Sequence, residues 1–264
     1  EVYWPGRGGF YIWRMKTMRL MTMSALAMTL SVPAAALAAD KTKPVVVELF
    51  TSQGCYSCPP AERFLGELAG EKSILALEFH VDYWDDLVYG AAGKWKDPFS
   101  KNEYTQRQRS YNQRIRRTGN VYTPQMVIDG KLEAVGSRRL SVLSAIRRAE
   151  NTRGERVDID ILLNGDKGVQ VNLSGKSATP GSIWLVRLIE KQETRVNAVE
   201  NKGEALLSHH IVTDFRKIGR WTGEADAIAV PDFQLKAGEG CAVLIQDNRH
   251  GPMLGAAPCP AQTS

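Results

Sequence analysis

The chain has 264 residues, of which 43% are hydrophobic and 24% charged, with 34 basic and 29 acidic side chains and a formal charge of +5. That composition is ordinary for a globular protein, and the length suits one large domain or two modest ones. Residues 1–39 hold four of the basic groups (Arg7, Arg14, Lys16, Arg19) and one acidic group (Glu1), so the remainder carries 30 against 28. A balance so near neutral gives no electrostatic case for nucleic acid.

Residues 1–14 precede the first plausible start, Met15, and are set aside as upstream sequence. From Met15, "MKTMRLMTMSALAMTLSVPAAALAAD" has a basic start, an apolar centre and small residues at Ala36 and Ala38. That is the pattern of a secretory signal peptide over 15–39, cut after Ala38 or Ala39. It is short for a membrane span and rich in Ala, Ser and Thr. The expected product is periplasmic or secreted, with no membrane span once the leader is removed. All four cysteines lie beyond the cut, in a compartment where disulfides form. They allow three pairings, and pairing within the close couples Cys55/Cys58 and Cys241/Cys259 is the simplest.

Residues 44–153 alternate strand-like and helix-like segments. Lys43–Phe50 reads as a buried strand and Pro60–Ala69 as a helix, with Phe64, Leu65 and Leu68 on one face. "SILALEFHV" (73–81) is a second strand, followed by a polar, aromatic loop containing Tyr83, Trp84, Trp95 and Phe99. "SKNEYTQRQRSYNQRIRRTG" predicts a long polar helix ended by Gly119. "PQMVIDGKLEAVGS" predicts a hairpin turning at Asp129-Gly130, and "RRLSVLSAIRRAE" an amphipathic helix. The order β-α-β-α-β-β-α is an α/β layout with one antiparallel hairpin.

After residues 150–156 the pattern changes to short alternating runs between Gly, Asn and Asp turns: "VDIDILL", "GVQVNLSG", "SIWLVRLIEK", "ETRVNAVEN", "HHIVTDFRKIG", "DAIAVPDFQL" and "CAVLIQDN". Their spacing predicts an all-β sandwich of about seven strands over 154–258. Residues 259–264 are a tail. A disulfide Cys241–Cys259 would tie that tail down.

The chemistry concentrates at "VVVELFTSQGCYSCPPAERFLGELAG" (45–70). A C-x-x-C pair at a strand-to-helix junction, within a βαβ pattern, reads as a redox motif. Cys55 precedes the first helical turn, where free N–H groups and the helix dipole favour a thiolate. Cys58, one turn on, is placed to resolve a mixed disulfide. Pro59 and Pro60 suit a helix start. Glu48, a carboxylate in an apolar strand, is either a buried proton acceptor for Cys58 or a residue at a polar strand end. His80 and Asp82 share one strand face. Cys55, Cys58 and His80 together form a soft donor set suited to Cu(I). Tyr56 and Trp84 are candidate substrate contacts. Arg107, Arg109, Arg114, Arg116 and Arg117 read as a solvated basic face, and His209-His210 as strand neighbours pointing apart.

The segments "VELFTSQGCYSCPPAE", "FHVDYWD", "WKDPF", "RQRSY" and "VYTPQMVIDG" resemble the thioredoxin-like superfamily. More closely, they resemble a bacterial secreted family catalogued as domain of unknown function number twelve twenty-three. The resemblance runs from about residue 44 to 258. It implies a thioredoxin-like fold at 44–153 with Cys55, Cys58 and a cis-Pro124 facing the pair, and brings no established substrate. Thr123, before that proline, would then pair its backbone with a bound peptide. Tyr56-Ser57 fill the pair, and Gly54 replaces the Trp that ordinary thioredoxins carry before the first cysteine.

The expectation is therefore an α/β thioredoxin-like domain followed by a β-sandwich, a monomer needing no cofactor. Its activity is thiol–disulfide exchange on protein thiols or disulfides, with a redox partner to reset it. A Cu(I) metallochaperone and a non-catalytic binding module are the alternatives.

Overall fold

The computed structural model describes residues 43–87, 93–152, 154–175, 179–248 and 250–261. The expected signal peptide lies outside them. Asp40–Ser264 form one compact unit, a mixed α/β structure with a large, mostly antiparallel sheet. Among the described residues no helix is long and apolar enough to cross a membrane.

The first half follows the predicted order. Strand β1 (Val45–Thr51) is buried along its whole length, as its unbroken apolar run requires. Helix α1 (Pro59–Ala69) leads to β2 (Ile74–His80), which lies parallel to β1. Helix α2 (Asn102–Tyr111) continues into a π-helical turn at Asn112–Arg116. Gly119 is not the residue that ends it. Arg117, at φ 60°, takes the left-handed conformation two residues earlier.

Strands β3 (Gln125–Ile128) and β4 (Leu132–Val135) form the hairpin, β3 antiparallel to β1. Its turn residues have positive φ, 50° at Asp129 and 66° at Gly130, and the Lys131 N–H closes the turn by donating to the Ile128 carbonyl at 3.0 Å. A Cβ on Gly130 would stand 2.4 Å from the Gly251 carbonyl oxygen, so only glycine fits. Helix α3 (Arg139–Thr152) closes this half.

The second half is all-β: β5 (Asp158–Leu163), β6 (Val169–Ser174), β7 (Gly181–Arg195), β8 (Ala205–Trp221), β9 (Asp226–Val230), β10 (Glu239–Asp247) and β11 (Met253–Pro258). "SIWLVRLIEK" and the start of "ETRVNAVEN" fuse into the single strand β7, whose pairing with β8 runs uninterrupted past Lys191 apart from local bulges. No break occurs at Gln192, the residue between the two runs. Strand β11 follows the Gly251-Pro252 turn, within the expected β region, and pairs with β10.

The boundary expected near 153–155 does not separate two sheets. One eight-stranded sheet runs in the order β11-β10-β7-β8-β2-β1-β3-β4, joined where β2 meets β8 in parallel at Glu78 and Ile211. The core follows the sheet. On one face Val46, Phe50 and Phe79 share a cluster with Tyr104, Tyr111, Val186, Val212 and Leu244. On the other face α1 and α3 cover Val45, Val47 and Leu49. The sandwich character is confined to a three-stranded sheet, β5-β6-β9, whose Ile159, Ile161 and Val171 pack with Ile183, Leu185 and Val243 of β7 and β10.

Candidate functional site

Strand β1 delivers the C-x-x-C turn directly to the start of α1. Cys58 is the cap residue of α1, and Pro59 and Pro60 fill its first two positions, where a missing N–H breaks no helical bond. Cys55 and Cys58 form a disulfide, and Cys55 Sγ lies 3.4 Å from Ser57 Oγ. Both cysteines are buried, Cys55 being 1% exposed, while Tyr56 between them is 74% exposed.

The peptide bond Thr123–Pro124 is cis, immediately before β3. Trp84 links this loop to the cysteine turn. Its indole N–H donates to Thr123 Oγ1 at 2.9 Å, and its Cβ and ring edge face Gly54, where an added Cβ would be in ordinary contact, 3.4 Å from Trp84 Cβ. Trp95 also reaches the turn, donating to Gln53 Oε1 at 3.1 Å.

Glu48 is not placed with the cysteines. It lies on the sheet face opposite α1, where the Arg107 guanidinium donates to both its oxygens at 2.6 and 3.0 Å and Tyr111 Oη donates at 2.6 Å. The alternation of β1 explains this: Val45, Val47 and Leu49 take the α1 side, so Glu48 faces α2. Arg107 is correspondingly buried rather than part of a solvated face. Phe79, Tyr111 and Phe215 lie around its guanidinium at 4.3–5.7 Å.

His80 is not free to complete a thiolate metal set. Its Nδ1 pairs with Asp97 Oδ2 at 2.7 Å and its Nε2 with Glu78 Oε1 at 2.9 Å. Among the described residues, no group of three or more His, Cys, Asp or Glu side chains is arranged to hold a metal ion. Burial alone would keep the imidazole neutral, but the two carboxylates outweigh it and raise its pKa well above 6.5. Asp97 is lowered in return, His80 overcoming the opposing effect of burial. Asp97 also accepts from the Gln53 N–H at 2.9 Å, so the charged pair supports the backbone two residues before Cys55.

The buried acid on the cysteine side is Glu62. Its amide N–H donates to the Cys58 carbonyl at 3.2 Å, one helical turn on, and its carboxyl accepts from Thr51 Oγ1 at 2.6 Å. Burial, then the charge of Glu78, raise its pKa from 4.5 to about 8. The sequence carried a signal for it: position 62 lies between Ala61 and Leu65 on the apolar face of α1, where a carboxylate is out of place.

The loop between β7 and β8 supplies the other unforeseen contacts. Asn201 donates its side-chain amide to the Gln53 carbonyl at 2.8 Å and the Cys55 carbonyl at 3.0 Å. The Tyr56 N–H donates to Glu200 Oε2 at 2.8 Å. Val199, a β-branched residue at φ 57°, holds the left-handed conformation just before them, a strained backbone fixed by packing with Val196, Leu206 and Trp95. Nothing local in "ETRVNAVEN" announces a partner 146 residues away.

Comparison with known proteins places the chain. No curated protein matches it. A solved structure, protein AGR_C_4864 from Agrobacterium tumefaciens, is similar over 83% of this chain and 96% of its own, with 26% identity and a TM-score of 0.69. Residues 46–246 match the family model described as protein of unknown function DUF1223. That span takes in β1, the cysteine turn, the cis-proline loop and the β7–β8 loop that clamps it, so the chain belongs to the DUF1223 family.

Proposed function

We propose that this chain is an exported thiol–disulfide oxidoreductase built on a thioredoxin-like framework and acting on protein thiols or disulfides. The framework is the part β4-β3-β1-β2 of the sheet, with α1 and α3 on one face and α2 on the other. Strands β8, β7, β10 and β11 extend that sheet, and β5-β6-β9 form the small second sheet packed on it. One observation carries the reading: a Cys55–Cys58 disulfide opens α1, one turn before a buried carboxyl whose pKa lies near that of a thiol.

In the reduced protein, Cys55 as thiolate attacks one sulfur of a substrate disulfide, forming a mixed disulfide and releasing the first substrate thiol. Cys58 then attacks Cys55 Sγ, restoring the internal disulfide and releasing the second thiol. Two electrons pass from the pair to the substrate, and the two thiol protons end on the products. Glu62 in its ionised form, in the role first given to Glu48, takes the Cys58 proton and passes it to the departing substrate thiolate. A carboxyl titrating at about 8 exchanges a proton with a thiol at little free-energy cost. A dithiol partner reverses the sequence. Trp84 and Thr123 line the approach beside cis-Pro124, and the Thr123 backbone pairs with the substrate chain.

Burial of both cysteines favours a second reading, in which the disulfide only staples the turn. Insulin reduction in the presence of a dithiol separates the two. The enzyme turns insulin over, Cys55→Ala abolishes turnover, and Cys58→Ala accumulates a mixed disulfide on Cys55. A wild-type protein that reduces no insulin and a Cys58→Ala variant that traps no partner would leave the pair a staple.

A further inference from the structure

Of the amides that could stabilise a thiolate at this helix start, all but that of Ser57 are spent elsewhere. Pro59 and Pro60 have no N–H. The Ala61 and Glu62 amides donate to the Cys58 carbonyl, the Cys58 amide to the Cys55 carbonyl, and the Cys55 amide to the Ser52 carbonyl. The Tyr56 amide, nearest in the chain to the Cys55 side chain, donates to a carboxylate, Glu200 Oε2. What faces Cys55 Sγ is the Ser57 hydroxyl.

The charged groups around Cys55 sharpen the point. Asp97, under the Gln53 backbone, is matched by protonated His80, which also holds Glu78. Glu62, raised to about 8 by burial first, is largely neutral at pH 7. Glu200, from the β7–β8 loop, brings a negative charge against the cysteine turn itself. Standard bond lengths put its carboxylate oxygen within about 8 Å of Cys55 Sγ.

We propose that Glu200 sets the direction of the couple: its carboxylate on the Tyr56 amide disfavours the Cys55 thiolate and so makes the reduced pair a donor of electrons to substrate disulfides. This rests on the oxidoreductase reading. A couple whose reduced form is poorly stabilised gives up its electrons readily, whereas one whose thiolate is well stabilised is an oxidant. Disulfides, reduced to two thiols as the pair is oxidised, are then the substrates in this direction.

Two variants test it. Glu200→Gln keeps an oxygen acceptor for the Tyr56 amide and removes the charge; Glu200→Ala removes both. Iodoacetamide alkylation of the reduced protein across pH reads the acidity of Cys55. In both variants we expect Cys55 to become roughly three- to tenfold more acidic, a size set by partly screened charges at that distance. At pH 9, above the free-thiol value of roughly 8.5, equilibration with glutathione should shift toward the dithiol by a similar factor, on the order of three- to tenfold. About 1 M salt should move the wild type in the same direction and Glu200→Gln much less.

A Glu200→Gln midpoint equal to that of the wild type overturns the proposal, as does a shift confined to Glu200→Ala, which would assign the effect to loop geometry. Failure of the function itself is read separately: a wild type inactive on insulin removes the enzyme reading, while the alkylation midpoints still decide what Glu200 does to Cys55.

Discussion

Asn201 and Cys55 are 146 residues apart and joined by one hydrogen bond, from the Asn201 side-chain amide to the Cys55 carbonyl at 3.0 Å. The same amide group reaches the Gln53 carbonyl, so one buried side chain closes the cysteine turn from above while Asp97 holds the Gln53 N–H from below. Asn201→Ala leaves both carbonyls without that donor. We expect a loss of about 2 kcal/mol in unfolding free energy, measured by urea denaturation of the oxidised protein, and faster reduction of Cys55–Cys58 by dithiothreitol. A variant reduced no faster than the wild type would mean that the turn is rigid without its clamp.

The pair Glu48–Arg107 behaves differently, because both partners of the salt bridge are buried. Glu48→Gln leaves a buried guanidinium with only neutral partners, Tyr111 and His250 among them. Removing one member of such a pair costs on the order of 3–5 kcal/mol. Arg107→Leu together with Glu48→Leu removes both charges and should cost much less than either single change. Denaturation midpoints for the two single variants and the double variant check it, and simple additivity would show that the charges do not act as a pair.

The elements of the first half were legible because each is local: the apolar run of β1, the spacing of Phe64, Leu65 and Leu68 in α1, and the Asp129-Gly130 turn. The cysteine turn and Pro124 were legible for the same reason. Two kinds of information were not. Which face Glu48 takes depends on which strand neighbours carry the helices, and alternation alone leaves that open until α1 and α3 are placed. The joining of the two halves depends on one parallel meeting of β2 and β8 at Glu78 and Ile211, a long-range pairing with no local mark. Asn201 and Glu200 fall in the same class, as does the capture of both ring nitrogens of His80.

The second disulfide, Cys241–Cys259, closes a short loop around the β10–β11 hairpin. Its cysteines are also hydrogen-bonded, the Cys259 N–H donating to the Cys241 carbonyl at 2.7 Å. With a separation of 18 residues, loop-closure entropy gives a stabilisation of roughly 3 kcal/mol. Replacing both cysteines by serine should lower the unfolding free energy by about that amount and leave the reactivity of Cys55 unchanged. A change below about 0.5 kcal/mol in chemical denaturation would mean that strand pairing alone holds the chain end.

Glu62 and His80 predict an unusual pH dependence of stability. The folded pKa of Glu62, about 8, lies above its ordinary 4.5, chiefly through burial. Its favourable contribution is therefore complete below pH 4.5 and is lost as pH rises toward 8, because the unfolded chain releases a proton that the folded chain retains. The slope is about −1.4 kcal/mol per pH unit while only the unfolded form is ionised. His80, raised well above 6.5 by Asp97 and Glu78 against the effect of burial, has the same sign, but its window opens only above pH 6.5. Asp97 has the opposite sign, and its window lies below pH 3.8. Between pH 4.5 and 6.5, then, Glu62 is the one member of this cluster whose shift makes stability fall. His250, lowered from 6.5 to about 4 by burial first, has the opposite sign between pH 4 and 6.5 and offsets Glu62 there, so urea denaturation at pH 5, 6 and 8 should show wild-type stability nearly level from pH 5 to 6 and falling toward pH 8. Glu62→Gln should make stability rise from pH 5 to 6, because His250 is then no longer offset, and keep the His80 decline above it. An unchanged segment in Glu62→Gln would mean that the carboxyl titrates near its ordinary value, and with it would go the matched proton exchange between Glu62 and Cys58.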